Sequence, residues 1–380
     1  MKRILVASDF HGNSSHLEAL QERVAAGGVD AVVFAGDLSP SKLLYPTPQL
    51  ADEYLREHVF PSLCQFKCPT YVLAGNTDFW ANSERYLQEF TDPVSQFKFV
   101  VADVVSVLGV DVLMYGYVHH NPTPLKDGIK ADTATSVTEA GSRRVQVSRV
   151  GVESSLPPLS FIHIGVVSRV GVSSHPPLGD PSHPMLPRTS VYPMSALSFQ
   201  EVDLSDPSTL PDWKRQQLGT TIEDDLVSLR DKHATPPLLW VTHDAPYDTV
   251  ADRAWNWTMT ESTHRGSEGM RNALEGPRHP AALVCGHFHQ SCHQGEEEET
   301  LESGTRVCTI SNEGLLEASG ARQCSMVEVD IDPEARDGRG AVTGMRRVVT
   351  EVAFPPDLAR SEEVYQGYMA EWNQIRRQKK

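Results

Sequence analysis

Long hydrophobic runs are missing from this sequence. No apolar stretch approaches the roughly 20 residues that cross a bilayer, so no membrane-spanning helix is expected. The opening Met1-Lys2-Arg3-Ile4-Leu5-Val6-Ala7 imitates the start of a secretory signal, but it stops at Ser8-Asp9, too short for the apolar region of one. Paired cysteines are scarce as well. Of the 6 present, only Cys64 and Cys68 stand close together, and no second pair follows to complete a zinc knuckle. They read as reduced thiols, and with no export signal the expectation is a cytoplasmic protein. Positive charge is also in deficit, with 34 Lys and Arg against 50 Asp and Glu and a formal net charge of -16. A broad nucleic-acid surface is therefore disfavoured, although a local site containing cations can still hold a phosphodiester.

What the chain has instead is length and histidine. Its 380 residues can bury a full core, and its 15 His are more informative than its charge. Five short apolar runs, Ile4 to Ala7, Ala31 to Ala35, Tyr71 to Ala74, Leu238 to Val241 and Ala281 to Cys285, have the Val, Leu and Ile content of buried strands. Each is followed at once by residues suited to metal ligation: Asp9 and His11, Asp37, Asn76, His243, and His287 with His289. Ligands placed just past the carboxyl ends of neighbouring strands can converge on one crevice, although they are scattered along most of the chain.

From the start to about Gly116 strand patterns alternate with helical ones, at Ser15 to Ala26 and Gln49 to Gln65, which predicts an α/β layer with parallel strands. The runs Phe97 to Val101, Val104 to Leu108 and Val112 to Tyr115 read as antiparallel strands. The character then changes. Residues 119–197 are rich in Pro, Ser, Gly and Thr and contain a short repeat, Val147-Ser148-Arg149-Val150-Gly151-Val152 returning as Val167-Ser168-Arg169-Val170-Gly171-Val172. Two copies are too few for a solenoid, so this is expected to be an inserted, mostly irregular segment. Order resumes with helices at Ile222 to Lys232 and Ser267 to Leu274. Three later runs, Arg306 to Ser311, Ser325 to Asp332 and Ala341 to Phe354, suggest a second, more antiparallel sheet. The organisation expected is thus a discontinuous domain of residues 1–118 and 198–354, the insertion at 119–197, and a helical tail at 355–380. The acidic run Glu296 to Glu299 reads as a solvated loop; placed by the site's mouth it would instead repel an approaching polyanion.

Two divalent cations a few ångströms apart need a shared carboxylate and nitrogen or oxygen ligands around each. Asp9 and His11 can grip one ion from the turn after the first strand, and His289 returns to it. Asp37 can bridge both, while Asn76, His243 and His287 fill the second. Any one of these motifs is weak evidence, but their conjunction at successive strand ends points to a binuclear metal hydrolase. The order Asp-x-His, Gly-Asp, Gly-Asn, lone His and Gly-His-x-His resembles that of the calcineurin-like metallophosphoesterase superfamily. The resemblance covers the chain except the insertion and tail. It implies a four-layer αββα sandwich, with Asp9, His11, Asp37 and His289 at one metal and Asp37, Asn76, His243 and His287 at the other.

One position departs from that pattern. Where most of the family has His in the third motif, this chain reads Gly75-Asn76-Thr77-Asp78. The family's His is the usual donor of a proton to the leaving oxygen, and a Thr hydroxyl is too weak an acid for that work. Family branches with a small residue here tend to act on phosphodiesters. The expectation is therefore a phosphodiesterase for small substrates, using a metal-bridging hydroxide, with a phosphomonoesterase or nuclease on the same fold and a non-catalytic metal-binding scaffold as the alternatives. The candidate catalytic residues are Asp37, Asp78 as an orienting group, and His264 as the proton source, with His16 a further candidate for that proton. Asn13, Thr77 and Ser267 are candidate substrate contacts, Ser267 because it opens a helix whose backbone N–H groups could face a phosphate. Asn312-Glu313-Gly314 resembles a family turn near the site. Mn²⁺ is the expected ion, and the mixed ligand set would also accept Fe, Zn, Ni or Co. A small phosphoester is the expected partner, with no nucleic acid and no membrane.

Overall fold

The computed structural model describes residues 1–40, 45, 47–90, 97–119, 128–130, 132–133, 145–148, 199–202, 219–233, 235–255, 262–289, 298–310, 312, 322–335 and 342–352. The internal repeat and the expected C-terminal helix lie outside the described residues, apart from the Val147-Ser148 that opens the repeat. Two six-stranded sheets organise the rest. In the first, β1 (Lys2–Ala7), β2 (Ala31–Phe34), β3 (Thr70–Leu73) and β4 (Phe97–Val100) run parallel. In the second, β6 (Val110–Tyr115), β11 (Leu239–Thr242), β14 (Ala282–Cys285) and β16 (Arg306–Thr309) are the parallel centre, with β5 (Ala102–Val107) and β15 (Glu298–Thr300) as antiparallel edges. The first sheet continues beyond β1 through β17 (Arg322–Ile331) and β18 (Val342–Val352), both antiparallel to their neighbours.

Alternation along each strand sorts side chains onto two faces, and the three cores follow from it. Ile4, Val6, Val33, Leu73 and Val329 of the first sheet meet Val112, Met114, Val241 and Val284 of the second, forming the core between the sheets. The opposite face of the first sheet, with Leu5, Val32, Phe34 and Val72, packs under a helical layer. That layer comprises α1 (Ser14–Ala25), α2 (Pro48–Tyr54) running through a π-helical turn at Leu55–Val59 into α3 (Phe60–Leu63), and α4 (Trp80–Glu89). On the far side, Leu113, Trp240, Leu283 and Val307 pack under α5 (Ile222–Asp231) and α6 (Glu268–Glu275). The result is the expected four-layer αββα order. No described helix is long and apolar enough to cross a membrane.

Strand membership differs from the expectation in three places. Phe97 to Val100 is a parallel strand of the first sheet, and only β5 and β6 form the antiparallel pair. Of the three late strands, β16 lies parallel to β14 while β17 and β18 join the first sheet, so the antiparallel strands are not gathered in the second. Apolar alternation reports that a strand is buried and says nothing about which sheet takes it.

The stretch beginning at 119 is not irregular throughout. β7 (Val118–His119) pairs with β8 (Ile129–Lys130), and β9 (Val145–Ser148) pairs with β10 (Phe199–Val202). Lys130 is buried, its ammonium held by Thr220 at 2.7 Å and Asp225 at 2.5 Å, so this part of the expected insertion is anchored in the fold by an ion pair that its composition did not suggest. The acidic run is likewise partly structured: Glu298 and Glu299 belong to β15, where Glu298 pairs with Arg306 and Glu299 accepts the Val250 N–H.

Candidate metal centre

β1, β2 and β3 are parallel in one sheet and β11 and β14 are parallel in the other, so their carboxyl ends share an edge of the sandwich. Asp9, Asp37, Asn76, His243 and the His287–His289 turn all follow those ends. The chain turns sharply there. Six non-glycine residues among those described have positive φ, and four of them are Asp9, His11, Asp37 and His287 at 58°, 48°, 56° and 70°. Such conformations cost energy and persist where packing and function demand them. Gly36, at φ 104°, brings β2's exit against the His243 ring, and a Cβ there would lie 2.5 Å from its Nδ1.

The side chains converge on two groups. Asp9, His11, Asp37 and His289 offer ligand atoms all within 4.8 Å of one another, and Asp37, His243 and His287 form a second such group through the shared carboxylate. Asn76 joins the second, its Oδ1 at 2.9 Å from His243 Nε2. Every ligand position expected from the sequence is thus brought together. In the first group His11 Nε2 and His289 Nε2 face each other at 3.1 Å, and His289 Nε2 is also 3.1 Å from Asp9 Oδ1. The backbone N–H of His287 donates to both Asp9 oxygens, tying the last motif to the first.

This arrangement fits divalent cations. His243 Nδ1 is 2.9 Å from the Ala35 carbonyl and must donate its proton there, so the lone pair of the neutral ring is on Nε2. That lone pair faces Asn76 Oδ1 and Asp37 Oδ1, three acceptors in need of a cation. Without one, a proton fills the place: burial opposes the charge, but Asp37 outweighs it and lifts the His243 pKa to about 9. Burial also penalises the Asp37 and Asp9 carboxylates, yet His243 holds Asp37 well below the usual range and His289 holds Asp9 below it. For His11 burial wins, lowering its pKa to about 4 and leaving the ring neutral at pH 7, the state in which imidazole binds metal.

The other candidates divide. Asp78 is buried and holds three backbone N–H groups: those of Asp37 and Gly75 on one oxygen and that of Ser39 on the other. Thr77 donates its N–H to Asp37 Oδ1 at 2.7 Å, and its hydroxyl lies 3.5 Å from His11 Nδ1, so it borders the first group. Asn13 caps α1, its Oδ1 accepting the N–H groups of Ser15 and His16. His16 is buried beneath Phe10, ring centroids 5.5 Å apart, and is not part of either group. His264 also stands outside both groups, with Nδ1 2.6 Å from Asp252 and Nε2 3.5 Å from Asp248.

The expectation for Ser267 needs correction. It does cap α6, accepting the Met270 N–H, but the next N–H groups are taken: Asp132 accepts those of Glu268 and Gly269 and the Ser267 hydroxyl itself. A carboxylate already fills the place proposed for phosphate. Two supports went unseen in the sequence: the Tyr54 hydroxyl on the Gly12 carbonyl and the pairing of His119 with Asp244. A third, the Asn312 amide on the Ser8 carbonyl, comes from the turn singled out at Asn312-Glu313-Gly314.

Two stacked mixed sheets carrying two groups of buried and half-buried Asp, His and Asn side chains at their strand ends define an α/β sandwich with a candidate binuclear centre. Residues 2–143 match the family model described as Calcineurin-like phosphoesterase. No curated protein matches the chain. Among solved structures it is similar to TT1561 of Thermus thermophilus, at 14% identity over 92% of this chain and 98% of that one, with a TM-score of 0.42. It is also similar to GAP50, the anchor in the inner membrane complex of Plasmodium (11% identity, 97% and 94% coverage, TM-score 0.39). A third is the calcineurin-like phosphoesterase YfkN from Bacillus subtilis (11% identity, 96% and 97% coverage, TM-score 0.35).

Proposed function

We propose that this chain is a phosphodiesterase for small substrates, with Mn²⁺ as its working ion. The observation that carries the reading is Asp37, a buried carboxylate shared by two groups of ligand atoms. Asp9, His11, Asp37 and His289 would hold one cation, and Asp37, Asn76, His243 and His287 the other. A cation pair bound here supplies Lewis acidity toward the phosphoryl group and a nucleophile at neutral pH. The protein's own contribution is to fix these ligands. Asp78 holds the Asp37 turn through its backbone, and the Ala35 carbonyl orients the His243 ring.

Thr77 supports a diester over a monoester. It occupies the position beside His11 where the resemblance leads one to expect an imidazole, and it brings a small hydroxyl in place of a proton donor. The net negative charge supports small substrates over long polyanions. A panel of diesters, cyclic nucleotides and monoesters assayed with Mn²⁺-loaded protein tests this. The expected outcome is a higher kcat/KM for a diester than for the monoester of the same alcohol; the reverse order would overturn the phosphodiesterase assignment.

A further inference from the structure

The segment from Gly116 to His119 threads between two loops of the candidate metal centre. Gly116 lies against β3's exit, where a Cβ would strike the Ala74 carbonyl, two residues before Asn76. Tyr117 stacks on Trp80 with ring centroids 4.5 Å apart and planes inclined by 21°, three residues after Thr77. β6 and β11 are parallel neighbours with Tyr115 opposite Thr242, and the His243 N–H donates to the Tyr115 carbonyl. Past this point His119 reaches Asp244, the residue that follows His243. Its backbone N–H and its ring Nδ1 both meet Asp244 Oδ2, at 2.8 and 2.7 Å.

The Asp244 carboxylate has no exposed surface and the His119 ring is 14% exposed. A buried carboxylate on Nδ1 fixes the imidazole's orientation, stabilises its protonated form, and assigns proton exchange with a substrate to Nε2. The segment carrying this pair runs past the flanks of the third motif, at Ala74 and Trp80, and that motif lacks the imidazole that would otherwise protonate the leaving oxygen. His264 also has a carboxylate on Nδ1, but its Nε2 faces a second one, Asp248, and it lies on the hairpin of β12 (Arg253–Trp255) and β13 (Ser262–His264). We propose that His119, held by Asp244, is the general acid that protonates the leaving group. The proposal rests on the phosphoester-hydrolase reading above.

In this step the bond from phosphorus to the leaving oxygen breaks with its electron pair on that oxygen, which takes the proton from His119 Nε2. Water supplies the hydroxyl that joins phosphorus, and the proton it sheds restores the imidazolium for the next turnover.

The test is the leaving-group dependence of kcat/KM, measured with Mn²⁺-loaded protein on phosphodiesters running from nitrophenyl to alkyl leaving groups, with bound Mn²⁺ counted on the same samples. The wild type is expected to show a shallow dependence. His119→Gln is expected to keep its Mn²⁺, to stay within about tenfold of wild type on the nitrophenyl ester, and to lose about 100- to 10,000-fold on the alkyl esters. Asp244→Asn is expected to lose in the same direction. A steep dependence in the wild type would overturn the assignment without any variant having to fold, as would an equal loss on every ester in His119→Gln, no loss, or a steepening confined to His264→Gln. Failure of the wild type to hydrolyse any ester would instead remove the hydrolase reading on which this one stands.

Discussion

The carboxylate of Asp78 accepts the backbone N–H of Asp37 at 3.0 Å, and with the same oxygen the N–H of Gly75 at 2.7 Å. One side chain therefore fixes the exits of β2 and β3, and with them Asp37 and Asn76. Burial, and then the charge of Asp37, push the Asp78 carboxyl upward, so the position is costly and is kept for what it holds. Asp78→Ala would leave three buried N–H groups without their acceptor. It should lower Mn²⁺ affinity by about 10- to 100-fold, the usual effect of removing a group that orients metal ligands. Titration calorimetry on a folded variant checks this, and wild-type affinity would show that the turn holds itself.

His243 yields a prediction in protons. In the metal-free protein its pKa stands at about 9, and a cation at Nε2 must displace that proton. Between the ordinary value of 6.5 and about 9, cation binding should release on the order of one proton per chain from this residue. The stability term has the matching sign. A raised folded pKa contributes stability that is complete below the unfolded value and lost as pH climbs through about 9, so the melting temperature of the metal-free protein should fall across that window. Calorimetry in buffers of different ionisation enthalpy measures the release; a binding enthalpy independent of buffer would contradict it.

The ligands were legible in the sequence because each motif carries its chemistry locally, as an Asp, Asn or His one to four residues past a strand. Four helices were legible from their pattern, at 14–25, 48–63, 222–231 and 268–275, whereas Trp80–Glu89 was not read as one. Sheet membership was not legible, since β17 pairs with β1 across most of the chain and no local pattern encodes that partner. The same holds for single contacts. His119 lay at the edge of a segment rich in Pro and Ser, and nothing there announces Asp244. Ser267 was correctly read as a cap, but its free N–H groups were not free, because Asp132 arrives from the stretch assigned to the insertion.

That carboxylate can be tested by itself. Asp132 accepts from the Ser267 hydroxyl and from two N–H groups at the start of α6. Asp132→Ala should cost about 1 to 2 kcal/mol, the upper range for a lost helix cap, and leave Mn²⁺ stoichiometry unchanged. Denaturant unfolding followed by tryptophan fluorescence provides the value. A change below about 0.5 kcal/mol, the usual size of a neutral surface substitution, would mean that Ser267 alone suffices.

Residues 149–198 separate two strands that pair directly, Ser148 standing opposite Phe199. A two-residue Asn-Gly turn can therefore close β9 and β10 as a hairpin. The shortened protein should fold and bind the same number of Mn²⁺ ions as the full chain. Insolubility, or loss of metal, would show that the replaced stretch contributes to the core.

The central claim is that Asp37 serves two cations at once, and metal counting addresses it most directly. Elemental analysis of Mn²⁺-loaded, desalted protein should find about two ions per chain in the wild type, as a carboxylate-bridged pair requires. Asp37→Ala should bind fewer and lose hydrolysis of a nitrophenyl diester while remaining folded by circular dichroism. Full occupancy and activity in Asp37→Ala, or no retained metal in the wild type, would contradict the account.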